Sequence, residues 1–127
     1  MPRMTGNQFL IEAFKAYEVD HLFFVPSVLG PVMGMAEGAG IKRVITHGEK
    51  AAAYMADGYA RASHKPGIAL CQDIGTTNLA AGLRDPWMAC SPVIAITGGQ
   101  ADQPRYRHAY QNAEAVSYTH LTLPTKA

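Results

Sequence analysis

Four short strand-like runs, separated by segments of helical period, constrain this chain more than any other feature. The runs are L-F-F-V (Leu22 to Val25, stopped by Pro26), Ile41 to Thr46, I-A-L-C after the K-P-G turn at Lys65 to Gly67, and P-V-I-A-I-T (Pro92 to Thr97). Runs of this length rich in branched and aromatic residues suit strands buried on both faces of a parallel sheet. Helical spacing fills the gaps. Thr5 to Tyr17 opens with a Thr-x-x-Gln capping box and places Phe9, Leu10, Ala13, Phe14 and Tyr17 on one face, with Glu12 and Lys15 opposite. Pro31 can open a second helix that Gly38 or Gly40 closes.

The third helix starts near Glu49, with Ala52, Met55, Ala56, Tyr59 and Ala60 at helical spacing and Asp57 and Arg61 placed for an i,i+4 ion pair. Gly58 lies in its interior, where glycine costs about 1 kcal/mol relative to alanine, so a close approach by another backbone is expected there. The fourth, T-T-N-L-A-A-G-L-R-D, is expected to break or restart at Pro86, which has no N–H to donate. The order α-β-α-β-α-β-α-β predicts an α/β fold, a doubly wound parallel sheet with helices on both faces, truncated at its C-terminal side.

The chain has 127 residues, of which 48% are hydrophobic and 17% charged, with a formal net charge of +1. That balance describes a folded segment. With no cluster of Lys or Arg, it argues against nucleic acid or a membrane surface as partner. Cys71 and Cys90 sit in apolar stretches and form no C-x-x-C pair, so two reduced core thiols and no metal site are expected, in a cytoplasmic protein. The N-terminus lacks the apolar region of a signal peptide, and no stretch approaches the ~20 apolar residues of a membrane-spanning helix.

In open parallel α/β sheets, ligands bind beyond the carboxyl ends of the strands. That rule selects Pro26-Ser27, His47-Gly48-Glu49, Gln72 to Thr76 and Gly98-Gly99-Gln100. Glu49 is the most informative of these. It stands where a strand ends and a helix begins: the helix dipole favours its charged form, and burial opposes it. A carboxyl balanced in this way can share a proton with a ring nitrogen. On position alone it can equally be an acid that helps its helix start. Gly98-Gly99 lacks the G-x-G-x-x-G spacing of a dinucleotide loop.

The stretch H-G-E-K-A-A-A-Y-M-A-D-G-Y-A-R-A-S followed by K-P-G resembles the N-terminal pyrimidine-binding domain of thiamine-diphosphate enzymes. V-D-H-L-F-F-V-P, T-N-L-A-A-G-L and S-P-V-I-A-I-T-G-G are similar to the same domain of acetolactate synthases. The resemblance covers about Thr5 to Ala115, and it implies a domain over residues 1–115. In that family the glutamate matching Glu49 hydrogen-bonds the pyrimidine N1′ and so promotes loss of the thiazolium C2 proton. The reaction that follows is decarboxylation or carboligation of a 2-oxo acid such as pyruvate, with the cofactor as electron sink. Glu49 is thus the expected catalytic residue, and Glu49, Pro26, Thr76 and Asn78 the expected cofactor-binding ones. Tyr110-Gln111 matches an aromatic-Gln pair on the substrate side. Thr76, Thr77 and Asn78 can also be read as a plain helix N-cap.

Two loops depart from the acetolactate synthase pattern. Asp73 to Asn78 reads D-I-G-T-T-N where the family usually has G-P-G-A-T-N, and Ser27-Val28 replaces a glycine pair. A decarboxylase or acyl transferase of the same superfamily with another substrate therefore stays open, as does a non-catalytic α/β binding module. The family holds the diphosphate and its Mg2+ on a C-terminal domain with a G-D-G motif, usually across a homodimer or tetramer, and some members bind FAD on a middle domain. G-D-G does not occur in this sequence, so the chain alone is expected to be inactive. Residues 116–127, V-S-Y-T-H-L-T-L-P-T-K-A, resemble translated adaptor sequence and are expected to be a non-native tail.

Overall fold

Thr5 caps the first helix as its spacing predicts. Its hydroxyl accepts from the Gln8 backbone N–H at 3.2 Å, and the Gln8 side chain accepts from the Thr5 N–H at 2.8 Å. This reciprocal cap satisfies two donors that a helix start leaves without partners. The computed structural model describes residues 3–26 and 29–99. Within them the order is α1 (Gly6–Ala16), β1 (His21–Phe24), α2 (Gly30–Gly38), β2 (Lys42–Ile45), α3 (Glu49–Ser63), β3 (Gly67–Cys71), a 3-10 turn (Asp73–Gly75), α4 (Thr76–Met88) and β4 (Val93–Thr97).

All strand pairings are parallel, in the order β2-β1-β3-β4. Side chains alternate across the sheet with period two. Leu22, Phe24, Ile68 and Leu70 face α1 and α2, where they meet Ile11, Phe14, Val32, Met33 and Ala36. Phe23, Ala69 and Cys71 face α3 and α4, against Ala52, Ala53, Ala56 and Leu79. The central strands β1 and β3 are therefore covered on both faces while the edge strands β2 and β4 stay largely exposed, and the doubly wound architecture is present. Full burial of Leu22, Ile68, Leu70 and Leu79 stabilises by roughly 1.5–3 kcal/mol each.

The chain runs from β1 outward to β2, then crosses back over β1 to β3 and on to β4. Successive connections leave β1 and β3 in opposite directions, so the crevice between the carboxyl ends of these two strands is the topological switch point where such sheets bind ligands.

The structure revises several local expectations. On α1 the buried stripe is Ile11 and Phe14, whereas Phe9 is 64% and Tyr17 76% exposed. Two apolar stripes overlap on this helix, and the α2 contact selects the one through Ile11 and Phe14. On α3 the buried positions are Ala52, Ala53, Ala56, Asp57 and Ala60, while Met55 is turned outward. A Cβ on Gly58 would meet nothing within 4 Å among the described residues, so no backbone approaches it there.

The close approaches occur at two other glycines. A Cβ on Gly67 would lie 2.1 Å from the Ala56 carbonyl oxygen, and one on Gly82 would lie 2.7 Å from both the Ala53 Cβ and the Lys50 carbonyl oxygen. These glycines let α3 settle onto β3 and α4 onto α3. α4 also runs unbroken through Pro86 to Met88. The proline falls in the last turn, where only one i→i−4 bond is lost, and its ring is buried. Cys71 is a core thiol as expected, but Cys90 is exposed at a positive φ of 51° just after α4.

Candidate functional site

Thr46 follows β2 and shapes the elbow that presents Glu49. Its buried hydroxyl donates to the Gly48 carbonyl at 2.9 Å and lies 3.3 Å from the Phe24 carbonyl. Gly48 then sits in extended backbone as the N-cap of α3, and Glu49 is the first residue of the helix. A carboxylate there is favoured by the dipole, yet the Glu49 side chain reaches beyond its own helix to the turn after β3.

Two contacts define where it goes. Glu49 Oε2 accepts a hydrogen bond from Asn78 Nδ2 at 3.2 Å. A Cβ on Gly75 would lie 2.7 Å from Oε1 and 3.0 Å from the carboxyl carbon, so only glycine leaves room for the carboxylate at this distance. Glu49 follows β2 and Gly75 follows β3, and β1 lies between those strands in the sheet. The side chain therefore bridges the loops at the switch point, and it is partly buried there.

The other predicted residues fall at the same edge with different surroundings. Pro26 is exposed, two residues beyond the end of β1. Thr76 opens α4, its Oγ1 buried with no nitrogen or oxygen partner; the Cys71 thiol is the polar group that acts with it. Burial, with the negative charges of Glu49 and Asp73 adding to it and Thr76 opposing it, pushes the Cys71 thiol up to about 11, so it stays protonated at neutral pH.

The plain N-cap reading of Thr76, Thr77 and Asn78 is not what forms. Gly75 takes the N-cap position with no side-chain cap, the Thr77 hydroxyl donates to the Ile74 carbonyl at 3.2 Å, and Asn78 is turned to Glu49. His47 is exposed. Ser27, Val28, Gln100, Tyr110, Gln111 and the expected domain boundary between residues 115 and 116 lie outside the described residues.

Sequence reasoning gave Thr46 no role, and it placed Gly75 at the sheet edge without showing which side chain lies against it. Gly75 carried a faint signal, a glycine just before T-T-N, but only the fold shows which side chain needs its missing Cβ. A groove of about 520 Å³ runs along α4 and β4, lined by Leu79, Leu83, Trp87, Val93 and Ala95 among others. It shares Thr76 with the Glu49 site and none of the residues that hold the carboxylate. Among the described residues, no group of three or more His, Cys, Asp or Glu side chains could hold a metal ion, and no helix is long and apolar enough to cross a membrane.

The arrangement fits one chemical task. A single carboxylate, fixed at a switch point by a neutral amide donor and a glycine, can exchange a proton with a basic ring atom seated in the crevice.

Comparison with known proteins points the same way. The chain is 31% identical over 128 residues to acetolactate synthase of Arthrospira platensis, covering 96% of this chain and 22% of that protein. It is 36% identical over 97 residues to the large subunit of acetolactate synthase isozyme 2 of Escherichia coli K12, covering 75% of this chain and 18% of that one. The chain thus spans about a fifth of the length of these relatives. In fold it is similar to the thiamine diphosphate-dependent 4-hydroxybenzoylformate decarboxylase of Rhodococcus jostii RHA1, with a TM-score of 0.80 at 19% identity over 91% of this chain and 22% of that one. The family model for the thiamine pyrophosphate enzyme N-terminal TPP binding domain matches residues 4–118. The chain thus belongs to the thiamine pyrophosphate enzymes, as their N-terminal TPP-binding domain.

Proposed function

We propose that the full-length protein is a thiamine-diphosphate-dependent enzyme of 2-oxo acid decarboxylation and carboligation, acetolactate synthase-like, with pyruvate as the model substrate. The observation that carries this reading is the Glu49 carboxylate held by Asn78 against Gly75 at the switch point. When bound, the cofactor supplies a thiazolium carbon that adds to the ketone of a 2-oxo acid and takes up the electron pair released with carbon dioxide. The described residues do the rest of this domain's work. Glu49 holds or releases a proton at its carboxylate, and the Thr46 elbow keeps that carboxylate at the crevice. Pro26 and Thr76 border the ring's position; Tyr110 and Gln111, outside the described residues, are the substrate-side pair that the family resemblance implies.

Mg2+ and the diphosphate belong to a further domain of the full-length protein, so the described chain alone is inactive in this reading. FAD, where the enzyme uses it, belongs to a middle domain, and its yellow absorbance in the purified protein decides the question. A homodimer or tetramer formed through the cofactor site is supported by the water-facing side of α3, where Ala51, Tyr54, Met55, Gly58 and Ala62 are all exposed. A cytoplasmic location is supported by the exposed free thiol of Cys90, which suits a reducing compartment.

The test is Glu49→Gln in the full-length protein. Turnover of pyruvate is expected to fall by roughly 10²–10⁴, the contribution of a positioned proton-transfer group, while near-normal turnover would remove Glu49 from the reaction. A second reading, a decarboxylase of another 2-oxo acid, is favoured by Asp73-Ile74 in place of Gly-Pro beside the site. Product analysis separates the two: a carboligated acid supports the first, and a released aldehyde the second.

A further inference from the structure

The two oxygens of the Glu49 carboxylate are held in different ways. Oε2 accepts from the Asn78 amide at 3.2 Å, while Oε1 rests over the α carbon of Gly75, in space that any side chain there would fill. A carboxylate with a donor on one oxygen and a wall under the other cannot rotate freely about its Cγ–Cδ bond. Both restraints come from one short stretch, the 3-10 turn and the first turn of α4, and that stretch is itself anchored. Thr77 ties back to the Ile74 carbonyl at 3.2 Å. Gly82, one turn further on than Asn78, locks α4 against Lys50 and Ala53 of the helix that carries Glu49. The distance between the Asn78 amide and the Glu49 carboxylate is thus set by the packing of two helices, and the exposed Asn78 side chain has its recorded hydrogen bond to Glu49 alone among the described residues.

We propose that Asn78 is a positioning residue that acts through Glu49, fixing the orientation of its carboxylate with Gly75 as the opposing wall, and that it is not itself a cofactor ligand. This inference rests on the reading of Glu49 given under Proposed function. It changes the role of Asn78, which the family resemblance places among cofactor-binding residues. The amide suits that role because it is a neutral donor: it engages one oxygen and leaves the other free to accept a proton. An aspartate of nearly the same shape would instead set two like charges competing for one proton. The other titratable groups about the site are Cys71 and Asp73 on the β3 side, and His47 and Lys50 next to Glu49 in the chain.

The experiment compares Asn78→Ala, Asn78→Asp, Gly75→Ala and Glu49→Gln in the full-length protein. It reads kcat and KM for pyruvate against pH, and thiamine-diphosphate affinity against pH by calorimetry. Asn78→Ala is expected to lower kcat roughly tenfold, the scale of one lost hydrogen bond to a charged group, with KM and cofactor Kd within about threefold of the parent. Asn78→Asp should move the acid limb of kcat, and the pH dependence of cofactor Kd, upward by about one pH unit. Gly75→Ala should cost as much kcat as Glu49→Gln, and combining it with Asn78→Ala should add little.

Parent-like pH profiles in both Asn78 variants, with Glu49→Gln inactive, overturn the positioning role and leave the enzymatic reading intact. A tenfold or greater rise in cofactor Kd in Asn78→Ala with an unmoved acid limb also overturns it, since that is the behaviour of a direct ligand. An active Glu49→Gln overturns the underlying reading instead.

Discussion

Asp20 lies just before β1, at the end of the sheet opposite the Glu49 site, and collects three donors. Tyr59 donates its hydroxyl to Oδ1, His21 Nδ1 lies 2.8 Å from the same oxygen, and Lys65 Nζ lies 3.0 Å from Oδ2. The Tyr59 hydroxyl first, then His21 and Lys65, hold the Asp20 carboxyl far below the usual carboxylate range. Burial and the Asp20 carboxylate together raise Tyr59. The rings of His21 and Phe23 stack beside this group and Tyr59 packs tilted against both, with the His21 and Tyr59 centroids 4.9 Å apart. A carboxyl whose folded-state pKa is depressed contributes stability that is complete above its unfolded value near 4 and is lost as pH falls toward the folded one.

Asp20→Asn is therefore expected to lower Tm by roughly 2–4 °C at pH 7, in line with a partly exposed cluster worth about 1 kcal/mol. The gap should narrow steadily below about pH 4, and a gap constant from pH 7 to pH 2, read by calorimetry, would contradict the assignment. This cluster was not legible in the sequence, because Tyr59 and Lys65 stand 39 and 45 residues from Asp20. The Thr5-Gln8 cap and the Asp57–Arg61 pair at 2.8 Å were legible, since their partners are three and four residues apart.

At the scale of elements, the sequence revealed types and order better than faces. Strands and helices were readable because period two and period 3.6 are local properties of the chain. Which stripe of α1 or α3 turns inward depends on the neighbouring element, and the sequence holds no local record of that. The α3–α4 contact shows how strict such a neighbour can be. Lys50, Ala53 and Gly82 bring the two backbones together so closely that a Cβ on Gly82 would overlap both an alanine Cβ and a carbonyl oxygen.

Gly82→Val must then push α4 outward or distort it. Overpacking of this kind costs about 1–3 kcal/mol, which chemical denaturation of the full-length protein would register as a lower midpoint. Because α4 also carries Asn78, the same variant should weaken the hold on Glu49. Gly58→Ala offers the control: no described neighbour opposes the new methyl group, and alanine favours the helix by about 1 kcal/mol. A Gly82→Val protein as stable as the parent would mean that the two helices have room the structure does not show.

For the whole molecule, the outer face of α3 matters more than its inner one. A helix that faces water normally carries charged residues there, but beside the exposed Lys50 and Arg61 this one shows a stripe of Ala51, Tyr54, Met55, Gly58 and Ala62, with Tyr54 44% and Met55 47% exposed. Ile74, 46% exposed, adds to the apolar surface from the turn beside Glu49. The stripe begins two residues after Glu49, so a cover over it lies beside the Glu49 site. In the proposed oligomer that cover is a second subunit.

Met55→Lys in the full-length protein puts a charge into that contact without touching the Glu49 carboxylate or the α3–α4 seam. Light scattering after gel filtration should show the variant shifted toward monomer at micromolar concentration, and its specific activity should rise with protein concentration as dimers re-form. An unaltered oligomer with concentration-independent activity would place the subunit contact on another face, and α3 would then need a cover from within its own chain.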